Sequence, residues 1–241
     1  MSTKIDSRLT THDSRSYSVL KRIKHSLGGY LWSLILPKSK RDFISKLPHS
    51  AKLLDVGCGN HSPENTKLLR PDLYYAGIDV GDYNTDEASK NAADEYILTS
   101  GENFAETIGN LPEEFDAAIS SHNLEHCNHP METIDAICSR LKKDGRLFLA
   151  FPCEMSVIFP SRKGTLNFYD DSTHINLPDF KAVMKRLIHD NRMSVDYVSY
   201  SYKPVLGWLL GMLWNIFEKD RVNRLIWCYY GFETIIWAHK K

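Results

Sequence analysis

Leu53-Leu54-Asp55-Val56-Gly57-Cys58-Gly59-Asn60 is an apolar run that breaks into an acidic residue and two glycines shortly before Pro63, where a helix can open. A strand that ends in glycines and feeds a helix is the place where open α/β sheets bind ligands. Gly57 and Gly59 carry no Cβ, so the backbone there can turn sharply and come close to a ligand, and its amides can receive a carboxylate. Asp55 can hold a cationic amino group, directly or through water. The next apolar run ends in Gly77-Ile78-Asp79-Val80, and Asp79 follows Asp55 at about the interval at which an acidic side chain accepts hydrogen bonds from ribose hydroxyls.

The same alternation of short apolar runs and amphipathic stretches continues along the chain. Lys52 to Val56, Tyr74 to Asp79, Glu95 to Leu98, Phe115 to Ser120 and Arg146 to Phe151 read as strands. Pro63 to Arg70, Asp86 to Ala93, Glu102 to Gly109 and Met131 to Leu141 read as the helices between them. Pro63 and Pro130 suit first helical turns, where a missing N–H costs no hydrogen bond, and Asp144-Gly145 predicts a tight turn into the fifth strand. Such an order predicts a mainly parallel sheet covered by helices. Beyond it come an irregular segment from Pro152 to Leu177, a helix opening at Pro178-Asp179, a strand near Val195 to Ser201, an apolar helical region and a last strand, Phe232 to Ala238. The expected organisation is a tail and helical extension over residues 1–50, then one α/β domain over 51–241 with a lid segment at 152–177 and a helical insertion at 203–230.

Composition narrows the function classes. Thirty basic residues balance thirty acidic ones, so no global field points to nucleic acid or an acidic partner. Five cysteines without CxxC spacing argue against a disulfide framework and a structural zinc module. Cys127, His122 and His129 match no regular zinc spacing either, and no metal site is expected. The start is polar and lacks the apolar stretch of a secretory signal, so a cytoplasmic protein is expected. A dinucleotide would ask for a third glycine in G-x-G-x-x-G, and Ser62 stands in its place.

From Lys52 to Pro152 the chain resembles the class I S-adenosylmethionine (SAM)-dependent methyltransferases, with a type 11-like methyltransferase domain. LLDVGCGN is similar to their first motif, YYAGIDV to the ribose-binding second, FDAAISSHNLEH to the fourth-strand motif and LKKDGRLFLAFP to the turn and strand after it. The resemblance implies a Rossmann-like, seven-stranded, mainly parallel sheet with helices on both faces, and SAM as cofactor. It places Asp55, Gly57, Cys58, Gly59, Asp79 and Val80 against the cofactor, the adenine near Ser100, Gly101 and Glu102, and Ser121 close by after the fourth strand. Two positions depart from the family pattern: Thr99-Ser100 leaves the register of Gly101-Glu102 open by one residue, and Asn60 replaces a glycine that many relatives carry.

Methyl transfer from a sulfonium is an in-line displacement, and an oxygen acceptor must also lose its proton, most often to a histidine. Ser121-His122-Asn123-Leu124-Glu125-His126 follows the fourth strand, and His126 is the base candidate from that loop; the alternative is that Glu125 and His126 cap the next helix. Asn167-Phe168-Tyr169-Asp170-Asp171-Ser172-Thr173-His174-Ile175-Asn176 lies where the chain would cross the active site. There His174 is the stronger base candidate, with Asp170 or Asp171 as its orienter; the alternative is a turn whose aspartates bind backbone amides. Arg162 and Lys163 could meet a phosphate or carboxylate, and Tyr169 and Phe168 could stack on a sugar or ring.

The expected function is O-methylation of a sugar or glycan hydroxyl, as in bacterial enzymes of surface polysaccharides that the 152–177 segment and the apolar C-terminal part resemble in layout. A lipid-linked or quinone-like small molecule is the runner-up acceptor, and a non-catalytic SAM-binding or interaction module the alternative from another class. Nucleic acid is disfavoured, since no basic stripe appears. Tyr30 to Leu36 and Val205 to Trp227 are dense in Trp, Leu and Ile; packing onto the core or lid is the first expectation for them, with a homodimer interface or peripheral contact at the inner face of the membrane as alternatives.

Overall fold

The computed structural model describes residues 31–112 and 114–241. Tyr30, the first residue of the expected apolar N-terminal helix, lies outside the described residues, whereas 31–35 are helical. Helix α1 spans Lys40–Ser45, and Ser39 caps it by accepting from the amide of Asp42. Seven strands follow in the chain: β1 Lys52–Val56, β2 Tyr74–Asp79, β3 Glu95–Leu98, β4 Phe115–Ser121, β5 Leu141–Pro152, β6 Met193–Ser199 and β7 Glu233–Lys240. Between β1 and β5 lie α2 Ser62–Leu69, α3 Glu87–Lys90, α4 Phe104–Gly109 and α5 Pro130–Ser139. The remaining helices are α6 Phe180–Lys185, α7 Val205–Phe217 and α8 Arg224–Tyr230.

One sheet holds all seven strands in the order β3-β2-β1-β4-β5-β7-β6. β1 to β5 run parallel, and β7 lies antiparallel to both of its neighbours, so the sheet is Rossmann-like and mainly parallel. The chain leaves β1 towards β2 and β3 on one side and returns to β4 and β5 on the other. A crevice therefore opens at the carboxyl ends of β1 and β4, the switch point at which such sheets bind ligands.

Alternation along the strands divides the core. Leu54, Val56, Ala76, Ile78, Leu147 and Leu149 pack with Phe104, Ile134 and Ile137 of α4 and α5. Leu53, Tyr75, Ala117, Ile119 and Phe148 point to the other face and pack with Phe43 and Ile44 of α1. Both faces are dry because helices cover both, which is why β1 and β2 read as continuous apolar runs.

Several element bounds shift by one or two residues from the sequence reading, and three differences are larger. β5 begins at Leu141, five residues ahead of the expected Arg146, because Leu141 already pairs with Phe115; the Asp144-Gly145 turn sits inside the strand as an irregularity, with Asp144 at φ 61°. α3 is a single turn rather than Asp86 to Ala93: Asp86 caps it and the backbone tightens to three-residue spacing at Ala92 and Ala93. The third difference concerns the apolar insertion. α7 does not sink into the core, since its fully buried residues are only Gly207 and Gly211. A Cβ on Gly211 would meet the carbonyl oxygen of Leu225 at 2.0 Å, so α7 and α8 approach backbone to backbone there. Val205, Leu206, Leu209, Leu210, Leu213 and Phe217 stay exposed, and Leu31, Trp32 and Leu34 are exposed in the 31–35 helix, which precedes the Ile35 and Leu36 atoms that face Gly207. No helix among the described residues is long and apolar enough to cross a membrane.

Candidate functional site

The turn after β1 is built for close approach. Gly57 lies at φ 78°, and a Cβ there would sit 2.6 Å from Asn123 Oδ1. A Cβ on Gly59 would meet the carbonyl oxygen of Tyr83 at 2.8 Å. Asn60 and His61 follow at φ 56° and 53°, so the loop winds through the left-handed region before Pro63 starts α2. Asn60, the position where a glycine is common, holds that conformation with its amide bonded to the carbonyl of Tyr83 at 2.9 Å.

Two carboxylates stand behind the loop. Asp79 accepts the amides of Gly59 at 2.8 Å and Val80 at 2.7 Å, which tie the ends of β1 and β2 together. Burial raises its pKa, against the lowering effect of the amides of Val80, Gly59 and Gly81. Asp55 is wholly buried; its Oδ2 accepts from Ser62 at 2.5 Å, Tyr75 at 2.6 Å and Lys40 at 3.2 Å. Its Oδ1 is buried without a hydrogen-bond partner and can take one further donor. Lys40, on α1, brings an ammonium to the glycine turn that the sequence reading did not single out. No local pattern marks it, because the contact joins segments that only the packing of α1 on the sheet brings together.

A cavity of about 260 Å³ lies beside these groups, lined among others by Val80, Gly101, Glu102, Asn123, His126 and Thr133. Four of the expected residues thus share one cleft: Val80 after β2, Gly101 and Glu102 after β3, and His126 after β4. Cys58 is buried with its sulfur against Gly77, so only its backbone can face a ligand. Ser121 is partly buried at the end of β4, paired with Ala150, and is not among the cavity's lining residues. The orphaned Asp55 oxygen, the ammonium of Lys40 and the backbone turn at Gly57 and Gly59 fit the amino-acid end of SAM, and Asp79 fits its ribose.

The lid closes onto the loop after β4. The carbonyl oxygen of Glu125 accepts the amides of Ile175 and Asn176 at 3.0 and 3.1 Å, and the Asn176 side chain donates to the carbonyl of Cys127 at 2.6 Å. This brings His126 and His174 together, with ring centroids 4.8 Å apart. His174 donates from Nδ1 to the carbonyl of Phe168 at 2.6 Å, and His126 lies with Nδ1 3.1 Å from the carbonyl of Thr173. A carbonyl only accepts, so each ring carries a proton on Nδ1, which sets the tautomer in which Nε2 is the nitrogen with the lone pair when the ring is neutral.

Asp170 does not orient His174, contrary to the sequence reading. Its Oδ2 accepts the amides of Arg162, Leu166 and Asn167, which organises the 152–177 segment, and these bonds outweigh burial to hold its pKa below the usual carboxylate value. Asp171 is the nearer carboxylate, with Oδ2 4.0 Å from His174 Nε2. Arg162 is likewise engaged, donating to Asn215 at 2.8 Å and lying over the Tyr230 ring, so it braces the lid on α7 and α8. Phe168 is buried against His174, and Tyr169 is exposed beside it.

His122 is the second residue the sequence reading undervalued. At φ 56°, it bridges Glu125 at 3.0 Å and Glu233 at 2.9 Å, and Glu233 also meets Arg224 at 3.2 Å. Burial opposes its charged form, but the hydrogen bonds and charges of Glu125 and Glu233 prevail and raise its pKa to about 9. The free histidine titrates near 6.5, so the ion network contributes fully below that pH and is lost as pH rises through about 9. Thermal unfolding followed from pH 7 to 10 is expected to show a falling melting temperature in the wild type and a much flatter profile in His122→Gln; parallel profiles would refute the assignment.

A seven-stranded sheet of this order, with a glycine turn after β1, an aspartate at the end of β2 and a cleft at the β1/β4 switch point, defines a SAM-dependent methyltransferase. The chain belongs to the methyltransferase domain family, which it matches over residues 33–194. It is 32% identical over 104 residues to a ubiquinone biosynthesis O-methyltransferase of Saccharophagus degradans, a stretch covering 41% of this chain and 42% of that protein. A ubiquinone biosynthesis O-methyltransferase of Bartonella tribocorum is 29% identical over 127 residues, covering 50% of this chain and 49% of that one. The matched part thus spans less than half the length of either relative. Among solved structures, a SAM-dependent methyltransferase from Archaeoglobus fulgidus has the same fold, with a TM-score of 0.54 and 15% identity over 83% of this chain and 90% of its own.

Proposed function

We propose that this methyltransferase transfers the methyl group of SAM to a hydroxyl oxygen of a sugar or glycan, and that the hydroxyl loses its proton at the Glu125–His126–His174 cluster. When bound, SAM supplies an electrophilic methyl group. The observation that carries the reading is the meeting of His126 and His174, from two loops, at the edge of the cavity, each with Nδ1 engaged by a backbone carbonyl so that Nε2 is the nitrogen free to accept a proton. His126 lines the cavity, and the His174 side chain lies behind it, 4% exposed. Lone-pair nitrogen at the mouth of the cleft is what an oxygen acceptor needs and what a carbon or sulfur nucleophile of low pKa does not. Exposed Tyr169, held edge-on by Phe168 next to His174, supplies an aromatic platform for a sugar ring.

A second reading has its own support. The two relatives are named for O-methylation in ubiquinone biosynthesis, and the exposed apolar face of α7 and the 31–35 helix suits a lipid-linked or quinone-like acceptor met at a membrane surface. Labelled SAM offered with nucleotide sugars, soluble glycans, lipid-linked sugars in vesicles and quinone-type phenols in vesicles separates the two. Label on a sugar hydroxyl is the expected result. Label on the phenol alone, with the protein floating with the vesicles, would replace the sugar reading by the second one.

A further inference from the structure

The Glu125–His126–His174 cluster has features that a pair of bases does not require. Glu125 is completely buried, and while Oε1 meets His122, its Oε2 has no hydrogen-bond partner among the described residues. An ionised oxygen left bare in the interior costs several times what a bonded one does. One carboxylate oxygen of Glu125 and one ring nitrogen of each histidine lie within 4.8 Å of one another. Each imidazole has its Nδ1–H fixed on a backbone carbonyl, the outer arrangement that sets the tautomer of metal-bound histidines and aims Nε2 at the ion. Asp171, with Oδ2 4.0 Å from His174 Nε2, lies beside this set without belonging to it, and its Oδ1 is held by Thr173.

From this geometry we infer that the cluster is a binding site for one divalent transition-metal ion, held by Glu125, His126 and His174. Two neutral imidazoles and a carboxylate suit manganese, iron or zinc rather than magnesium, which prefers an all-oxygen shell. The spacing rules that gave no metal site from the sequence could not find it, because the ligands come from two loops joined only when the lid segment binds the carbonyls of the β4 loop. Cys127, His122 and His129, the residues weighed for a metal in the sequence, are not the ones assembled: Cys127 bonds Asn123, and His122 is held between two glutamates. The inference deepens the proposed O-methyl transfer and rests on it for the place of the acceptor. With an ion bound, the imidazoles would serve as ligands and no longer as bases; the ion would lower the pKa of a hydroxyl lying on it, and the proton would leave to solvent water at the mouth of the cleft.

The test is a calorimetric titration of the chelator-stripped full chain with MnCl2, with ZnCl2 and, as a control, with MgCl2, accompanied by the electron paramagnetic resonance of bound manganese. One manganese or zinc ion per chain is expected. Affinity should fall in His174→Ala and Glu125→Gln by at least the roughly 10- to 100-fold that loss of an outer-shell partner costs a metal site. Because those two side chains are buried, His126→Ala serves as the variant that spares the interior, with unchanged thermal unfolding as its check. No stoichiometric uptake by the wild type, or uptake that is the same in His126→Ala, would overturn the site. Methyl transfer assayed in excess chelator keeps the two proposals apart: transfer that persists without metal leaves a free imidazole as the base and removes the ion, whereas absence of transfer to any hydroxyl with metal present removes the acceptor reading and leaves the binding result standing.

Discussion

Replacing Asp79 by alanine is expected to weaken SAM and S-adenosylhomocysteine binding by about 3 kcal/mol, roughly 100-fold, because hydrogen bonds to a charged group contribute on the order of 1.5–3 kcal/mol each. Asp79 does two jobs at once. It fixes the glycine turn by accepting the amides of Gly59 and Val80, and in the proposed cofactor site it would also accept the ribose hydroxyls. The alanine variant loses both, whereas Asp79→Asn keeps an oxygen acceptor of the same shape and should lose less. Burial also raises the Asp79 pKa, so cofactor affinity is expected to decline with acidification sooner than an ordinary carboxylate would predict. Calorimetric titration beside NAD as a control is the measurement. Equal SAM affinity in the wild type and Asp79→Ala, with both proteins folded, would remove Asp79 from the cofactor site.

His126→Ala and His174→Ala should each lower kcat by roughly 100-fold or more while changing the SAM affinity little, measured with the acceptor found in the labelling screen. The direction is the same whether the imidazole takes the proton or holds an ion, since both roles act on the acceptor oxygen. His126 reaches the cavity, so its loss should appear entirely in turnover. His174 is buried against Phe168, and its loss should also lower thermal stability, because removing the ring leaves the carbonyl of Phe168 without its donor. Turnover unchanged in His126→Ala would show that the acceptor loses its proton elsewhere.

Exposed α7 places a different demand on the protein. Contiguous apolar surface of this kind on a soluble face marks a contact site, and Val205, Leu209, Leu213 and Phe217 stay uncovered among the described residues. Gly207 and Gly211 explain how the helix stays attached while showing so much of itself to the outside: without side chains at those positions the backbone packs directly on Ile35 and Leu225.

Much of the fold was legible from local sequence. The bounds of β1 and β2 agree with the apolar runs, since a strand covered by helices on both faces must be apolar along nearly its whole length, and that is a short-range signal. The positions of Asp55, the glycine turn and Asp79 were legible for the same reason, since each stands at the end of a buried strand. For the apolar insertion the expected core packing holds for α8, through Ile226 and Cys228, but not for most of α7, because hydrophobicity says that a face must be covered but not by what.

What the sequence by itself determined is the sheet, the cofactor turn and the class of reaction. The tertiary structure alone decided which side chains meet around the loop after β4. The union of Glu125, His126 and His174, the transfer of the orienting role away from Asp170, the approach of Lys40 to Asp55 and the bridge of His122 to Glu233 all join segments distant in the chain. The physical reason is one of range: a strand or turn is specified by neighbours a few residues away, whereas a site between loops exists only after the sheet has closed and the lid has bonded to the β4 loop.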